Sequence, residues 1–217
     1  MKIEFFFDYL SPQSYVIWPQ IKDLSLRYNA YLEINPISML GLCEHWDEPG
    51  PFQIPKEKNF IYKDCLRACT FLGIPFLPPR IHPFNSYFLL RASLYEISGE
   101  KQQKIIDFIW DEIWGKGINI RNVEEFEQKL NHSALEIDNV IEKCEKDYVK
   151  KILLDKTDLA IEKGIYRLPS VIIGEELFYG HEQIPMIELY LRGEDPISSV
   201  KDNEIISRIK TPNQTFF

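Results

Sequence analysis

The most constraining feature of the sequence is its opening, where an apolar run is followed by the start signal of a helix. The run over residues 3–7 predicts a buried strand. Ser11 followed by Pro12 is typical of an N-cap with proline at the first helical position. The first N–H groups of a helix are unpaired and its dipole is positive there, so this position favours an anion such as a thiolate, a carboxylate or a phosphate. A helix cap with no further role is the alternative.

Length and charge limit the classes of protein to consider. The chain has 217 residues, of which 45% are apolar, which is enough to bury a full core. Its net charge of −8 disfavours a general role in binding nucleic acid or an anionic membrane. No apolar run approaches the length of about 18 residues that a membrane span needs, and the N-terminus shows no signal-peptide pattern. We therefore expect a cytoplasmic protein with no nucleic-acid or membrane partner.

The cysteines and histidines give no metal or redox motif. The four cysteines form no C-x-x-C pair, and the four histidines show no zinc-ligand spacing. Cys65 and Cys69 would share one face of a helix and are interpreted as buried apolar groups. No metal site is predicted.

The first forty residues predict a strand, a helix and a second strand. Tyr15, Trp18, Ile21 and Leu24 recur at helical spacing, and residues 31–37 alternate as a strand does. Such an arrangement is a βαβ unit, whose two strands are parallel.

The rest of the chain changes from helical patterns to a hairpin. Residues 38–55 are predicted to be an irregular loop, and a proline-rich, extended connection is predicted over residues 73–84. Helical patterns cover residues 60–71, 85–97, 103–114 and two or three further segments between 123 and 163. Strands at 170–173 and 176–179 around the turn at 174–175 predict a hairpin, followed by a helix over 182–191 and a polar tail over 194–217.

This order of elements predicts an α/β protein with a thioredoxin-like fold and an inserted all-helical domain. Residues 1–40 and 158–217 would form a discontinuous thioredoxin-like domain, and residues 41–157 the insertion. In such a sheet the ligand site is expected at the end of the first strand, where the first helix begins. That position is occupied by Ser11.

Four stretches resemble the 2-hydroxychromene-2-carboxylate isomerases and the related kappa-class glutathione transferases, within the DsbA-like thioredoxin superfamily. Residues 7–15 are similar to an F-D-x-x-S-P-x-S-Y opening, and residues 64–91 contain stretches similar to D-x-x-R, G-x-P and P-x-N-S. Residues 114–118 resemble a W-G-x-G-I turn. Residues 164–180 resemble G-V-x-G-V-P-T followed by an E-x-x-W-G hairpin.

The resemblance implies a glutathione site around Ser11. It implies that Ser11 donates a hydrogen bond to the glutathione sulfur, at the position where redox members have the first cysteine of C-x-x-C. Pro169 matches the family's cis-proline, and the backbone of Leu168 would pair with the cysteinyl part of glutathione. An ordinary trans proline entering an edge strand is the alternative for Pro169.

The residues assigned to the two ends of glutathione match the family's pattern less closely. Where the family has an acidic residue in G-x-D-R, this chain has His181 and Glu182, which are assigned to the γ-glutamyl end by resemblance. A glutamate in a first helical turn also simply suits the helix dipole. Lys56 and Lys58 are candidates for the glycyl carboxylate, since the family's asparagine is missing from this loop, although lysines on a polar loop are often only solvated.

The resemblance also implies a homodimer and a small aromatic substrate that lies between the thioredoxin part and the helical part. Aromatic side chains would contact the substrate's ring, while an asparagine and an arginine would bind its carboxylate. Core packing is the alternative for the aromatic residues, and a helix-face ion pair with Asp64 for one arginine. The candidates are Trp114, Phe84, Trp46, Phe52, Asn85, Arg91 and Arg67.

Two enzyme functions follow from this resemblance, and a third function, from another class, stays open beside them. The first is a glutathione-dependent isomerase that acts by reversible thiolate addition to a conjugated substrate. The second is a kappa-like glutathione transferase or peroxidase, and the third is a non-catalytic thioredoxin-like binding module. A thiol–disulfide oxidoreductase is disfavoured because no second thiol is expected beside Ser11.

Overall fold

The computed structural model describes residues 1–120, 122–133, 135 and 140–199, and the predicted tail lies outside the described residues from position 200 onward. The chain forms two compact units, residues 1–181 and 182–217. These units are groupings by internal packing, and the predicted division into thioredoxin-like and inserted domains stays a prediction.

A four-stranded mixed sheet organises the first unit. Its strands are β1 (Lys2–Phe7), β2 (Tyr31–Pro36), β3 (Ser170–Ile173) and β4 (Glu176–Tyr179), in the spatial order β2-β1-β3-β4. β1 pairs parallel with β2, and β3 runs antiparallel to both β1 and β4. The predicted βαβ unit and the predicted hairpin are both confirmed.

Helices make up most of the rest of the first unit. A 3-10 turn (Gly99–Lys101) and a π-helical turn (Asp111–Gly115) flank the sixth helix. In the described part of the chain every helix from the second to the ninth lies between β2 and β3, which confirms the predicted helical block. The helices are α1 (Pro12–Arg27), α2 (Met39–His45), α3 (Pro55–Leu72), α4 (Tyr87–Ala92), α5 (Tyr95–Ser98), α6 (Gln102–Trp110), α7 (Val123–Asn131), α8 (Val140–Cys144) and α9 (Asp147–Glu162).

One local prediction is wrong, because residues 38–55 are not irregular throughout. Ser38 caps α2, with its side-chain oxygen accepting a hydrogen bond from the N–H of Gly41 at 3.0 Å. The helix has only 7 residues, too few for an apolar repeat to be recognised. The extended, non-helical course of residues 73–84 is confirmed.

Both faces of β1 are buried, as expected for a central strand. Phe5 and Phe7 stack on each other and contact Trp18 and Trp110 respectively on one face of the sheet. Phe6 points to the other face because successive side chains of a strand alternate. There it joins a cluster of buried side chains that includes Leu10, Ile37, Met39, Leu42, Ala160, Ile165, Leu168 and Ile172. This cluster, called the Phe6 cluster below, joins the end of β1 to α2 and to the segment before β3.

The described part of the second unit is short. A 3-10 turn (His181–Gln183) crosses from the last residue of the first unit, and it is followed by α10 (Ile184–Leu191) and a 3-10 turn (Pro196–Ser199). Over the described ranges of both units, no helix combines the length and the apolar character needed to cross a membrane. Within those same ranges, no group of three or more His, Cys, Asp or Glu side chains is arranged to hold a metal ion.

Candidate active site

Ser11 lies between the end of β1 and the start of α1, with only 1% of its surface exposed. As the N-cap of α1, its Oγ accepts a hydrogen bond from the N–H of Ser14 at 3.1 Å. The same hydroxyl donates to the carbonyl oxygen of Leu168 at 3.3 Å. That second hydrogen bond is longer than the usual 2.5–3.0 Å for an O–H donor, so it is a weak one. A hydroxyl with a proton to donate is thus held at the positive end of a helix.

The partner of Ser11 belongs to a cis peptide. The bond between Leu168 and Pro169 is cis, which confirms the conformation that the resemblance implied. The carbonyl of Pro169 accepts a hydrogen bond from the N–H of Gly180 at 3.0 Å, beyond the end of β4. The segment before β3 is therefore attached on one side to the start of α1 and on the other to the hairpin.

A cleft with an empty volume of about 740 Å³, part of it open to solvent, begins at Ser11 and Leu168. α2, α3, the loop between them and the segment before β3 supply its walls, which are mainly apolar and aromatic. The polar members are Gln13, Glu48, Glu57 and Arg167, together with the thiol of Cys43. The apolar and aromatic members are Met39, Leu42, Trp46, Pro51, Phe52, Phe60, Ile61, Tyr166 and Tyr179.

Asp8 connects the Ser11 loop to α2. Its carboxylate is 1% exposed and accepts hydrogen bonds from the N–H of Leu10 at 3.0 Å and the N–H of Met39 at 2.8 Å. Burial raises the pKa of Asp8 to about 6, against its hydrogen bonds with Leu10, Met39 and Ser86, which lower it. Asp8 thus fixes the N-terminus of α2, and with it one wall of the cleft, relative to Ser11.

His82 supports the same loop from the other side, and its role was not predicted from the sequence. Its Nε2 donates a hydrogen bond to the carbonyl of Leu10 at 2.9 Å, and its ring packs against those of Phe52 and Trp114 at centroid distances of 4.2 and 5.3 Å. Burial lowers the pKa of His82 to about 4. His82 is therefore neutral at pH 7 and acts as a positioning residue for the backbone that leads into Ser11.

Acidification should destabilise the protein through His82. Its pKa is about 4 in the native state and near the ordinary 6.5 in the unfolded chain, so between these pH values the unfolded state binds more protons. The free energy of unfolding is therefore unaffected by His82 above pH 6.5 and falls as the pH drops towards 4. In the middle of this window the loss is about 1.4 kcal/mol per pH unit.

Urea unfolding of the wild type and of His82→Gln at several pH values measures this loss as the difference between two stabilities. Asp8 titrates with the opposite sign, because its raised pKa makes the native state bind the extra proton. It is present in both proteins and cancels in the difference. Parallel stability profiles between pH 6.5 and pH 4 would show that His82 is not held neutral.

The structure brings four of the sequence-predicted residues to the cleft, and several others lie elsewhere. Ser11, Leu168, Trp46 and Phe52 line it. Trp114 is 0% exposed and does not line the cleft, and its Nε1 donates to the carbonyl of Tyr9 at 2.9 Å.

The remaining candidates for the substrate site also lie outside the cleft lining. Phe84 is half-buried, and its ring packs against His82 and against the Phe6 cluster. Asn85 lines a separate small cavity and accepts a hydrogen bond from the N–H of Tyr87 at 3.1 Å. Arg91 pairs with Glu145 at 2.7 Å.

Three of the charged candidates for the ends of glutathione, Lys56, Lys58 and His181, do not line the cleft. Lys56 is exposed, and Lys58 donates to the carbonyl of His82 at 2.7 Å. His181 contacts Asp64 of α3, with 3.4 Å between Nε2 and Oδ2. Glu182 is exposed and is the first residue of the second unit. The binding roles of all these residues stay predictions.

Sequence reasoning missed several residues that line the cleft, most notably Arg167, Glu48 and Cys43. Arg167 immediately precedes the Leu168–Pro169 motif, so its position in the sequence was a usable signal. Burial raises the pKa of the Cys43 thiol above its usual value, while the neighbouring guanidinium of Arg167 acts in the opposite direction. The thiol is therefore mostly protonated near neutral pH.

Three features define a thioredoxin-like protein. They are the strand order of the mixed sheet, the helical block between β2 and β3 in the chain, and the helix N-terminus beside a cis-proline segment. The model of the DSBA-like thioredoxin domain matches residues 2–192, and the chain belongs to this family.

Two curated relatives align with most of the chain. The sequence is 22% identical over 204 residues to glutathione S-transferase kappa 2 of Caenorhabditis elegans, covering 87% of this chain and 91% of that protein. It is 23% identical over 192 residues to 2-hydroxychromene-2-carboxylate isomerase of Sphingobium xenophagum, covering 87% and 97%. A solved structure of a 2-hydroxychromene-2-carboxylate isomerase matches with a TM-score of 0.79 at 20% identity, covering 92% of this chain and 98% of that one. This structural match shows the shared fold.

Proposed function

We propose that this protein is a glutathione-dependent isomerase of the 2-hydroxychromene-2-carboxylate type. The observation that supports it most directly is the buried Ser11 hydroxyl, which caps α1, contacts the cis segment at Leu168 and opens on a cleft with aromatic walls. Relatives named as isomerases and as glutathione transferases support the same class of enzyme.

The residues around Ser11 suit a bound thiolate. The Oγ of Ser11 lies 3.3 Å from the carbonyl oxygen of Leu168, and its hydroxyl can donate to an anion instead of to that carbonyl. The N–H of Ser14 continues to donate a hydrogen bond to Oγ. The N-terminus of α1 adds a favourable dipole. Both effects would lower the pKa of a thiol from its reference value of about 8.5. Serine itself forms no disulfide, so the nucleophile would be that of the cofactor.

The cleft walls would hold and shield the substrate. When bound, glutathione supplies a thiolate that adds reversibly to a conjugated carbon, allowing the former double bond to rotate before the thiolate leaves. Trp46, Phe52 and Phe60 offer flat apolar surface for an aromatic substrate, and Tyr166 and Tyr179 pack on each other with ring centroids 5.4 Å apart. Such walls orient the reacting groups and reduce access of water.

Cys43 does not favour a disulfide oxidoreductase, although it lines the same cleft. Thiol–disulfide exchange needs an attacking thiolate, and burial raises the pKa of Cys43. The other three cysteines are buried and their thiol pKa values are raised as well. A glutathione transferase or peroxidase is the second candidate, because it needs the same thiolate and because one aligned relative is named as a kappa transferase.

The partners and the cellular location belong to the proposal as well. We propose a small aromatic substrate and a homodimer, located in the cytoplasm. Lys56, Lys58, His181 and Glu182 are kept as proposed contacts to the polar ends of glutathione.

Titration with glutathione tests the proposal. The ultraviolet absorbance of the thiolate, measured against pH, should give a bound-thiol pKa below about 8.5. S-methylglutathione, which has no thiol, provides the baseline that removes the protein's own cysteines from the signal. Absence of binding at millimolar glutathione would contradict both enzyme proposals and favour a non-catalytic binding module.

Product analysis separates the isomerase from the transferase. With 2-hydroxychromene-2-carboxylate as the substrate, isomerisation should leave the total glutathione concentration unchanged over many turnovers. A conjugate formed in proportion to the glutathione consumed would favour the transferase.

A further inference from the structure

Arg167 is the one cation among the described residues that line the cleft. Its guanidinium donates to Oε2 of Glu48 at 2.6 Å, and both side chains belong to the cleft lining. The side chain of Arg167 is 31% exposed and that of Glu48 is 53% exposed. The pair thus lies where the cleft meets solvent.

Two observations relate Arg167 to the residues at the Ser11 end of the cleft lining. Arg167 directly precedes Leu168, the residue whose carbonyl accepts the hydroxyl proton of Ser11. Its charge also reaches the thiol of Cys43, lowering that pKa against the effect of burial. In the G-V-x-G-V-P pattern that residues 164–169 resemble, this position is a glycine, so the guanidinium is a departure of this chain from the pattern.

In the ion pair of Arg167 with Glu48, another carboxylate can take the place of the Glu48 carboxylate. Ion pairs between exposed side chains contribute little to stability, because water solvates both partners well. A guanidinium binds any carboxylate through parallel N–H donors, so a ligand carboxylate can replace that of Glu48 with similar geometry. Glu57, the other acidic residue of the lining, lies in the first turn of α3, where the helix dipole partly balances its charge.

We propose that Arg167 is the specificity-determining residue of the cleft and binds a carboxylate of the ligand in exchange for Glu48. The inference rests on the proposed function, since it concerns the same cleft. The substrate class it names is an apolar or aromatic molecule that carries a carboxylate. That carboxylate can belong to the electrophile or to glutathione, because both kinds of molecule present one.

Calorimetric binding to three variants tests the proposal. The ligands are S-methylglutathione, 2-hydroxychromene-2-carboxylate and the methyl ester of the latter. Arg167→Gln should weaken binding of a carboxylate ligand by about 10- to 100-fold, the usual range for a hydrogen bond to a charged group, and leave the ester unaffected. Glu48→Gln should strengthen the same binding several-fold, because the competing carboxylate is removed.

Arg27→Gln is the matched control, since Arg27 also forms an exposed ion pair, with Asp23 at 2.7 Å on α1, and does not line the cleft. It should leave all three affinities unchanged. Urea unfolding midpoints equal to the wild type in every variant would exclude misfolding as the cause.

The outcomes distinguish the source of the carboxylate. If Arg167→Gln loses affinity only for S-methylglutathione, the bound carboxylate belongs to glutathione. If it loses affinity only for 2-hydroxychromene-2-carboxylate, the bound carboxylate belongs to the electrophile. Wild-type affinity of Arg167→Gln for both ligands overturns the role of Arg167 and leaves the proposed function standing. If the wild type binds neither glutathione nor S-methylglutathione but still prefers the carboxylate over its ester, and Arg167→Gln abolishes that preference, the glutathione proposal fails and the role of Arg167 stands.

Discussion

Replacing Ser11 by alanine should lower kcat/KM of the glutathione-dependent reaction by about 10²-fold, the size of effect seen when one hydrogen-bond donor to a reacting anion is removed. The hydroxyl of Ser11 can donate its proton to a thiolate at the N-terminus of α1, in addition to the backbone N–H groups of the first turn. Without it, the pKa of the bound thiol should rise towards about 8.5, and the pH profile of kcat should move to higher pH. Stopped assays over a pH series measure both changes.

The control for this experiment is Ser38→Ala. Ser38 caps α2 as Ser11 caps α1, through a hydrogen bond from the N–H of Gly41 at 3.0 Å, and it does not line the cleft. Both substitutions remove an N-cap and should cost about 1 kcal/mol of stability. Only the substitution of Ser11 should shift the pH profile. Equal losses of activity in the two variants would show that Ser11 matters only as a cap.

The fold could be predicted because its decisive signals are local. The apolar run of β1, the Ser11–Pro12 start of α1 and the turn between β3 and β4 each lie within a few residues of sequence. The periodicity of a strand or helix is written along the chain, so the βαβ unit and the hairpin follow from it. The cis conformation at Pro169 came instead from the resemblance, since a proline alone does not indicate its isomer.

The cleft could not be predicted to the same extent because distant segments build it. Glu48 and Arg167 are paired across 119 positions of sequence, and neither residue has a neighbour that identifies its partner. α2 contributes Met39, Leu42 and Cys43 to the cleft, but its 7 residues are too few to give a periodic signal. Trp114 and Trp46 were both candidates for substrate binding, because sequence does not distinguish a tryptophan in the core from one in a cleft.

Replacing Trp114 by alanine should lower the free energy of unfolding by about 4 kcal/mol, one of the largest losses available in this chain. Its indole is 0% exposed and stacks on Phe76 with ring centroids 6.0 Å apart and an interplanar angle of 6°. The loss has two causes: the cavity left by the ring, and the carbonyl of Tyr9, which loses the donor now 2.9 Å away. Trp114→Phe keeps a ring there and should cost less, so it remains measurable if the alanine variant does not fold.

Trp46→Ala is the comparison that separates core from cleft. Trp46 is 42% exposed and lines the cleft, with its Nε1 donating to the carbonyl of Ile165 at 3.1 Å. Its removal should cost about 1 kcal/mol of stability, the value of a net hydrogen bond, and should raise KM for an aromatic substrate. Urea unfolding and steady-state kinetics on both variants decide the matter. If Trp114→Ala instead keeps its stability and raises KM, the indole binds substrate, as the sequence predicted, and the cleft extends further into the helical block.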